Sequence, residues 1–272
     1  MRQRREITQP NPTMDQTSEW RQIWEDRSSR AVSDYEFDRG TSPRDQEVED
    51  LSREELLEFV DPQANEIVFD AGCGTGVNIF LLHSRTAKII GMDCTAGAIA
   101  RCERRFKRDG IGNVELLVGD VTRVPLPGNA VDKVLCMSVF QYLDDREVRS
   151  ALKEFARVLK RRGVLILHVK NISSLYLSTL WLVKRLKSGL GLKTKLEHFR
   201  SFRWYQRELR AAGFELLDYN SFNIFILERM PRKWLLCVQK MELKWRKHFP
   251  LGLRFVRRRG SELKLKARVN WS

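Results

Sequence analysis

At 272 residues and 31.9 kDa, with 31% charged residues and a mean hydropathy of −0.41, the chain is long enough to bury one full core and carry additions to it. No apolar run approaches the roughly 20 residues of a membrane-spanning helix; the charged start lacks an apolar h-region, and five cysteines without a C-x-x-C pair support neither a disulfide framework nor a zinc site, so a reduced, cytoplasmic, metal-free protein is expected. The net charge of +14 is lopsided: residues 1–150 hold 20 Lys+Arg against 27 Asp+Glu, residues 151–272 hold 29 against 8, and the second half is therefore a cation suited to polyanions.

Residues 1–17 are polar, contain Pro10 and Pro12 and show no periodicity, which reads as a loose tail. Residues 18–63 read as a helical cap. Ser18 is the expected N-cap of a helix that sets Trp20, Ile23, Trp24 and Arg27 on one face and turns Arg21 outward. Tyr35 lies in the link to a second, acidic helix, Arg44 to Val60, which carries Leu51, Leu56, Leu57 and Val60.

The main domain is expected over residues 64–272. It begins with a buried strand, Ile67, Val68 and Phe69, that ends in Asp70 and runs into Gly72, Gly74 and Gly76; apolar character resumes at Val77 as the first turns of a helix. Glycines there allow positive φ and the close approach of a ligand to the main chain, beside the unpaired N–H groups of a helix start. A dinucleotide fingerprint needs its third glycine at position 77, which is Val77; here it is Gly76. The run Asp70-Ala71-Gly72-Cys73-Gly74-Thr75-Gly76 resembles motif I of the class I S-adenosylmethionine (SAM) dependent methyltransferases. The resemblance implies an α/β, Rossmann-like fold: a seven-stranded, mostly parallel sheet whose last strand is antiparallel, with helices on both faces. It also implies SAM as cofactor, held by Asp70, Gly72, Cys73, Gly74 and Gly76, with Tyr35 of the cap touching its methionine end. Cys73 has a blander reading as a packing thiol.

Strand two, Ala87 to Asp93, ends 23 residues after Asp70. An acidic residue at that distance accepts hydrogen bonds from two ribose hydroxyls, which assigns Asp93, with Cys94 beside it, to the cofactor; the competing reading is a cap for the helix Thr95 to Lys107. Strand three, Val114 to Val118, is followed by Asp120 and Val121, which in the resembling family meet the adenine; a plain Gly-Asp turn is the alternative. Strand four, Ala130 to Ser138, brings Met137 to the site. Its exit, Ser138 to Leu143, lacks both the [DN]-P-P-[FYW] of enzymes that methylate exocyclic amines of DNA bases and the Pro-Cys of cytosine C5 enzymes, and Gln141 and Tyr142 stand where many small-molecule members have histidine.

The helix Asp145 to Leu159 leads to strand five, Val164 to Val169. Over residues 64–170 the chain resembles the type 11 methyltransferase group, which includes quinone-methylating enzymes. Residues 171–203 read as a lid insertion after strand five, with Tyr176, Leu180, Val183 and Leu186 on one helical face and Lys184, Arg185 and Lys187 at its end. A helix Tyr205 to Ala212 and strand six, Phe214 to Tyr219, follow. Residues 231–259 form a basic amphipathic segment with Trp234, Val238, Met241 and Trp245 in line, and Ser261 to Val269 alternates like a half-exposed strand, in the family the seventh, set beside strand five.

A methyltransferase acting on a small-molecule or lipid-linked acceptor is the leading expectation, its basic segments resting on an anionic membrane at the inner face. RNA methylation and a SAM-binding protein without activity remain alternatives, since the same charge would track phosphates. Holding the acceptor in line with an activated methyl supplies most of the catalysis. Where a base is needed, His198 on the lid comes first and His168 at the end of strand five second; each has the competing reading of a hydrogen-bonded or surface histidine.

Overall fold

The structure is a computed structural model that describes residues 16–31, 46–189, 197–222 and 261–270, together with positions 234, 237, 238 and 241. Tyr35 and most of the basic segment 231–259 lie outside the described residues.

Five strands, β1 (Ile67–Ala71), β2 (Lys88–Asp93), β3 (Val114–Val118), β4 (Val131–Met137) and β5 (Leu159–Lys170), run parallel, and β6 (Phe214–Phe222) and β7 (Glu262–Val269) complete the sheet. The order is β3-β2-β1-β4-β5-β7-β6, with β7 antiparallel to both β5 and β6. That is the expected architecture. Central strands buried on both faces must be apolar nearly throughout, and β1, β2 and β4 are.

Helices cover both faces. On one face α2 (Gln46–Val60), α3 (Val77–Leu82) and α4 (Ala96–Arg108) bury Leu56, Ile79, Leu82, Ile99 and Phe106 against Val68, Ile89, Leu135 and Ile166. On the other, α5 (Asp145–Val158) and α7 (Phe202–Ala211) bury Leu152, Phe155, Tyr205 and Leu209 against Phe69, Val134, Leu165 and Leu167. Asp144 starts α5 by accepting from the Arg146 and Glu147 amides while Glu147 reaches back to the Asp144 amide, a capping box that fixes this end of the helix.

Several boundaries differ from expectation. The first helix, α1 (Gln16–Arg30), opens two residues before Ser18, so Ser18 is inside it and is not its cap. Ser201 caps α7, which therefore starts at Phe202 and not at Tyr205. The basic run Lys160–Gly163 belongs to β5, which joins β4 at Leu159 and again at Val164 across an irregularity.

The helix after β5, α6 (Leu175–Gly189), turns part of its expected inner face outward. Leu177 is buried, Trp181 is half-buried and Lys184 Nζ meets Glu197 at 3.2 Å, whereas Val183 and Leu186 of the expected stripe do not point inward; the side chains of Tyr176 and Leu180 lie outside the described residues. Leu182, Val183 and Leu186 face out, with 52%, 47% and 60% of their surface exposed.

Candidate active site

The glycine loop is folded back onto β2: the Gly72 and Cys73 amides both donate to the Met92 carbonyl, at 2.7 and 3.0 Å. Gly72 and Gly76 have φ of +81°, which costs other residues strain, and space excludes a side chain at either. A Cβ on Gly72 would sit 2.3 Å from Val139 Cγ2, and one on Gly76 would sit 2.5 Å from Phe106 Cζ. The loop thus presents bare backbone at the carboxyl end of β1, directly against the exit of β4. Asp70, one residue before the end of β1, is buried beneath it.

Asp93 ties the glycine loop to the start of α4. Its Oδ1 accepts from the Thr95 amide at the start of α4, at 2.9 Å, and its Oδ2 accepts from the Gly74 amide at 3.0 Å. A carboxylate offers about four lone-pair sites, so the two oxygens still have acceptor capacity for a vicinal diol. Cys94, beside it, is held protonated by burial of its thiol and by the Asp93 charge. The Cys73 thiol is likewise pushed well up, first by its hydrogen bond with Cys102, then by burial, and next by the charges around it. Cys102 Sγ is 3.2 Å from the Gly74 carbonyl, and the two buried thiols pack under the loop.

Asp120 is more constrained than its sequence position suggests. Oδ1 accepts from the Thr122 amide and hydroxyl at 2.8 and 2.7 Å, closing a turn, and Oδ2 takes the Arg21 guanidinium at 2.6 Å. Arg21 is not simply turned to solvent: it crosses from α1 to the place where an adenine amino group would seek Asp120. Val121 is buried in the larger core cluster, and Met137, last in β4, packs on the opposite face in register with His168.

Helix α1 lies across the carboxyl ends of β2, β3 and β4. Its Trp20 and Trp24 rings sit 4.7 and 5.5 Å from the Tyr142 ring, Arg21 meets Asp120, and Arg101 of α4 donates to the Ser28 carbonyl at 2.9 Å. Gly97 permits that docking, since a Cβ there would fall 2.0 Å from Ser28 Oγ. The aromatic face read in the sequence therefore lands on the β4 exit loop.

The two histidines occupy different settings. The His198 amide donates to the Gln141 carbonyl at 2.8 Å, and its buried Nε2 makes no hydrogen bond among the described residues. Burial and then the Arg200 charge pull this ring's pKa down, so it stays neutral. Arg200 itself is a clamp: it donates to the Phe140 and Leu143 carbonyls at 2.8 and 2.7 Å and to Asp145, and stacks over Trp204. His168 instead stands between Ser138 and Glu262. Sequence reasoning missed Ser138, Glu262, Lys170 and the Arg21–Asp120 pair, because each depends on strands or helices far apart in the chain.

A methyltransferase-domain family profile matches residues 68–163. A Mycolicibacterium smegmatis protein named as a probable S-adenosylmethionine-dependent methyltransferase is 28% identical over 162 residues, covering 59% of this chain and 53% of that one. The ubiquinone/menaquinone biosynthesis C-methyltransferase UbiE of Campylobacter jejuni is 28% identical over 179 residues, covering 57% and 73%. Residues 68–163 thus match a methyltransferase domain, and the chain is similar to SAM-dependent methyltransferases. Its fold is that of the Synechocystis magnesium protoporphyrin IX methyltransferase, crystallised with S-adenosylhomocysteine: TM-score 0.62, 15% identity, 94% of this chain and all of that one. The chain spans about half the length of the mycobacterial relative it matches.

SAM is therefore the cofactor, and the residues present fit it. The bare backbone at Gly72 and Gly76, where a Cβ would collide with Val139 or Phe106, and the doubly braced Asp93 carboxylate, which keeps acceptor capacity, fit a nucleoside and a sulfonium. When bound, SAM supplies an electrophilic methyl whose bond electrons stay with sulfur. What the chain must do is orient the acceptor, shed water and place a proton.

Proposed function

We propose that this methyltransferase acts on a small, lipid-linked acceptor at an anionic membrane surface. The observation that carries this reading is the outward face of α6: Leu182, Val183 and Leu186 stand exposed on a helix whose inner side is already satisfied by Leu177 and Lys184. Arg185 lies in the same stretch, 5.0 Å over Trp181, and Trp234 and Met241 further on are also exposed, in the half of the chain that carries the excess of Lys and Arg. Apolar side chains flanked by cations match the chemistry of an anionic lipid interface. Each buried Leu contributes about 1.5–3 kcal/mol when its side chain leaves water. The relatives named for ubiquinone/menaquinone biosynthesis support an acceptor of this kind.

The test is cosedimentation of the full chain with phosphatidylglycerol/phosphatidylcholine vesicles, paired with transfer of labelled methyl from SAM into a cell extract that is then fractionated. Salt-sensitive binding that falls at least about tenfold in the Leu182→Ser/Leu186→Ser double variant, with label in the organic phase, is expected. Label in RNA, or no vesicle binding at any salt concentration, would refute the proposal.

A further inference from the structure

At the carboxyl ends of β4 and β5, polar side chains from three strands stand in line. Ser138 Oγ is 2.9 Å from His168 Nδ1, and His168 Nε2 is 3.2 Å from Glu262 Oε2. The other oxygen of Glu262 accepts from Lys170 Nζ at 2.9 Å. Because the carboxylate only accepts, Nε2 carries the ring proton; Nδ1 is then the acceptor for the Ser138 hydroxyl, whose lone pairs are left to face a third group.

The place and the backbone point the same way. Ser138 has φ of +59°, in the left-handed region that costs a serine about 1 kcal/mol, and a strained residue beside a ligand loop invites a functional explanation. Its neighbour Val139 closes the space above Gly72, so Ser138 stands where the exit of β4 meets the cofactor loop.

We propose that Ser138 takes the proton of the methyl acceptor while passing its own proton to His168, which Glu262 and Lys170 hold in position. Ser138 is the catalytic residue, and the other three are positioning residues. This inference rests on the methyl-transfer reading and is independent of the membrane. As the acceptor's X–H bond breaks, its proton goes to Ser138 Oγ, the Ser138 proton goes to Nδ1, and the electron pair of that X–H bond stays on X to form the bond to carbon. The resulting imidazolium faces the Glu262 carboxylate and later loses its proton to water. Other charged groups around His168 are Lys264, opposite it on β7 and 3.8 Å from Glu55 of α2, with Tyr142 and Glu197 acting through Lys170.

The experiment compares wild type with Ser138→Gly, which removes the hydroxyl and relieves the strained φ, and with His168→Gln. Three readings are taken: the His168 tautomer by nitrogen-15 NMR, SAM affinity by calorimetry, and labelled methyl transfer to extract from pH 6 to 10. The expected results are an Nε2–H tautomer, unchanged SAM affinity, and for both variants a loss on the order of 10²-fold at neutral pH that recovers as alkali ionises the acceptor directly. A wild-type ring protonated on Nδ1 overturns the relay with no methyl-transfer assay. Full activity in either variant at neutral pH, or a loss that alkali does not restore, overturns it equally. Wild-type label in RNA or protein overturns the lipid-linked acceptor instead, and the same variants assayed on that product still decide the relay.

Discussion

The two halves of the active site are built differently. The cofactor half is made of backbone: a glycine loop, two amides on Asp93 and a turn on Asp120, almost all within residues 70–122. The proposed acceptor half is made of side chains, Ser138, His168, Lys170 and Glu262, spread over 124 residues of chain and joined because β7 is inserted beside β5. A ligand common to a whole family is held by geometry that any side chain would obstruct.

Four variants sharpen or break this contrast, in falling order of expected effect. Glu262→Gln leaves the Lys170 charge and His168 without their carboxylate and should cost about 3–5 kcal/mol at pH 7 in urea denaturation. Burial alone would raise this carboxyl, but Lys170 and His168 outweigh it and hold it well below the usual range, while Glu262 in turn raises Lys170. The group is depressed in the folded state, so its contribution is complete above the ordinary carboxylate range and is lost as pH falls through the folded value. The stability gap between wild type and variant should be full at pH 5–7 and close in stronger acid; a gap that widens in acid would contradict the assignment.

Gly72→Ala combines a positive φ with an overlap on Val139, and should cost about 2–4 kcal/mol and most of the SAM affinity. Val139→Ala in the same chain removes the overlapping methyl and should return part of the stability, leaving the φ strain. If the double variant is no better than the single one, the loop is not set by that contact.

Asp93→Ala removes the carboxylate that two loop amides share, a loss of about 1.5–3 kcal/mol, and should abolish the SAM-induced rise in melting temperature. An unchanged shift would move the ribose elsewhere. Arg21→Ala has the smallest effect. Its pair with Asp120 is half exposed and worth under about 1 kcal/mol, so stability barely changes, while SAM affinity should rise severalfold as Asp120 Oδ2 is released. A fall in affinity would make Arg21 part of the binding site.

The cofactor half was legible because its determinants are local. Glycine at alternate positions after an apolar strand, and an acid at the end of the next strand, are constraints a reader can apply within 25 residues. His168 was visible as the end of strand five, but its partners were not: Glu262 is 94 residues away. Ser138 looked like an ordinary strand exit until its φ placed the hydroxyl on the ring. The helix after β5 was read with Val183 and Leu186 inward, yet both are exposed while Leu177 is buried and Lys184 pairs with Glu197. Periodicity identifies a stripe, and only the partner decides which stripe is inside.

By itself the sequence determined the doubly covered parallel sheet, the glycine loop and the chemistry of the ligand that fits it, since propensity and spacing act over a few residues and each has one stable solution. Only the tertiary structure decided where α1 lies across the cofactor end, which side of the lid meets solvent, and that Ser138, His168 and Glu262 form one line. Those outcomes depend on strand order and on helix docking, where the distances that matter are set through space between segments with no fixed separation along the chain.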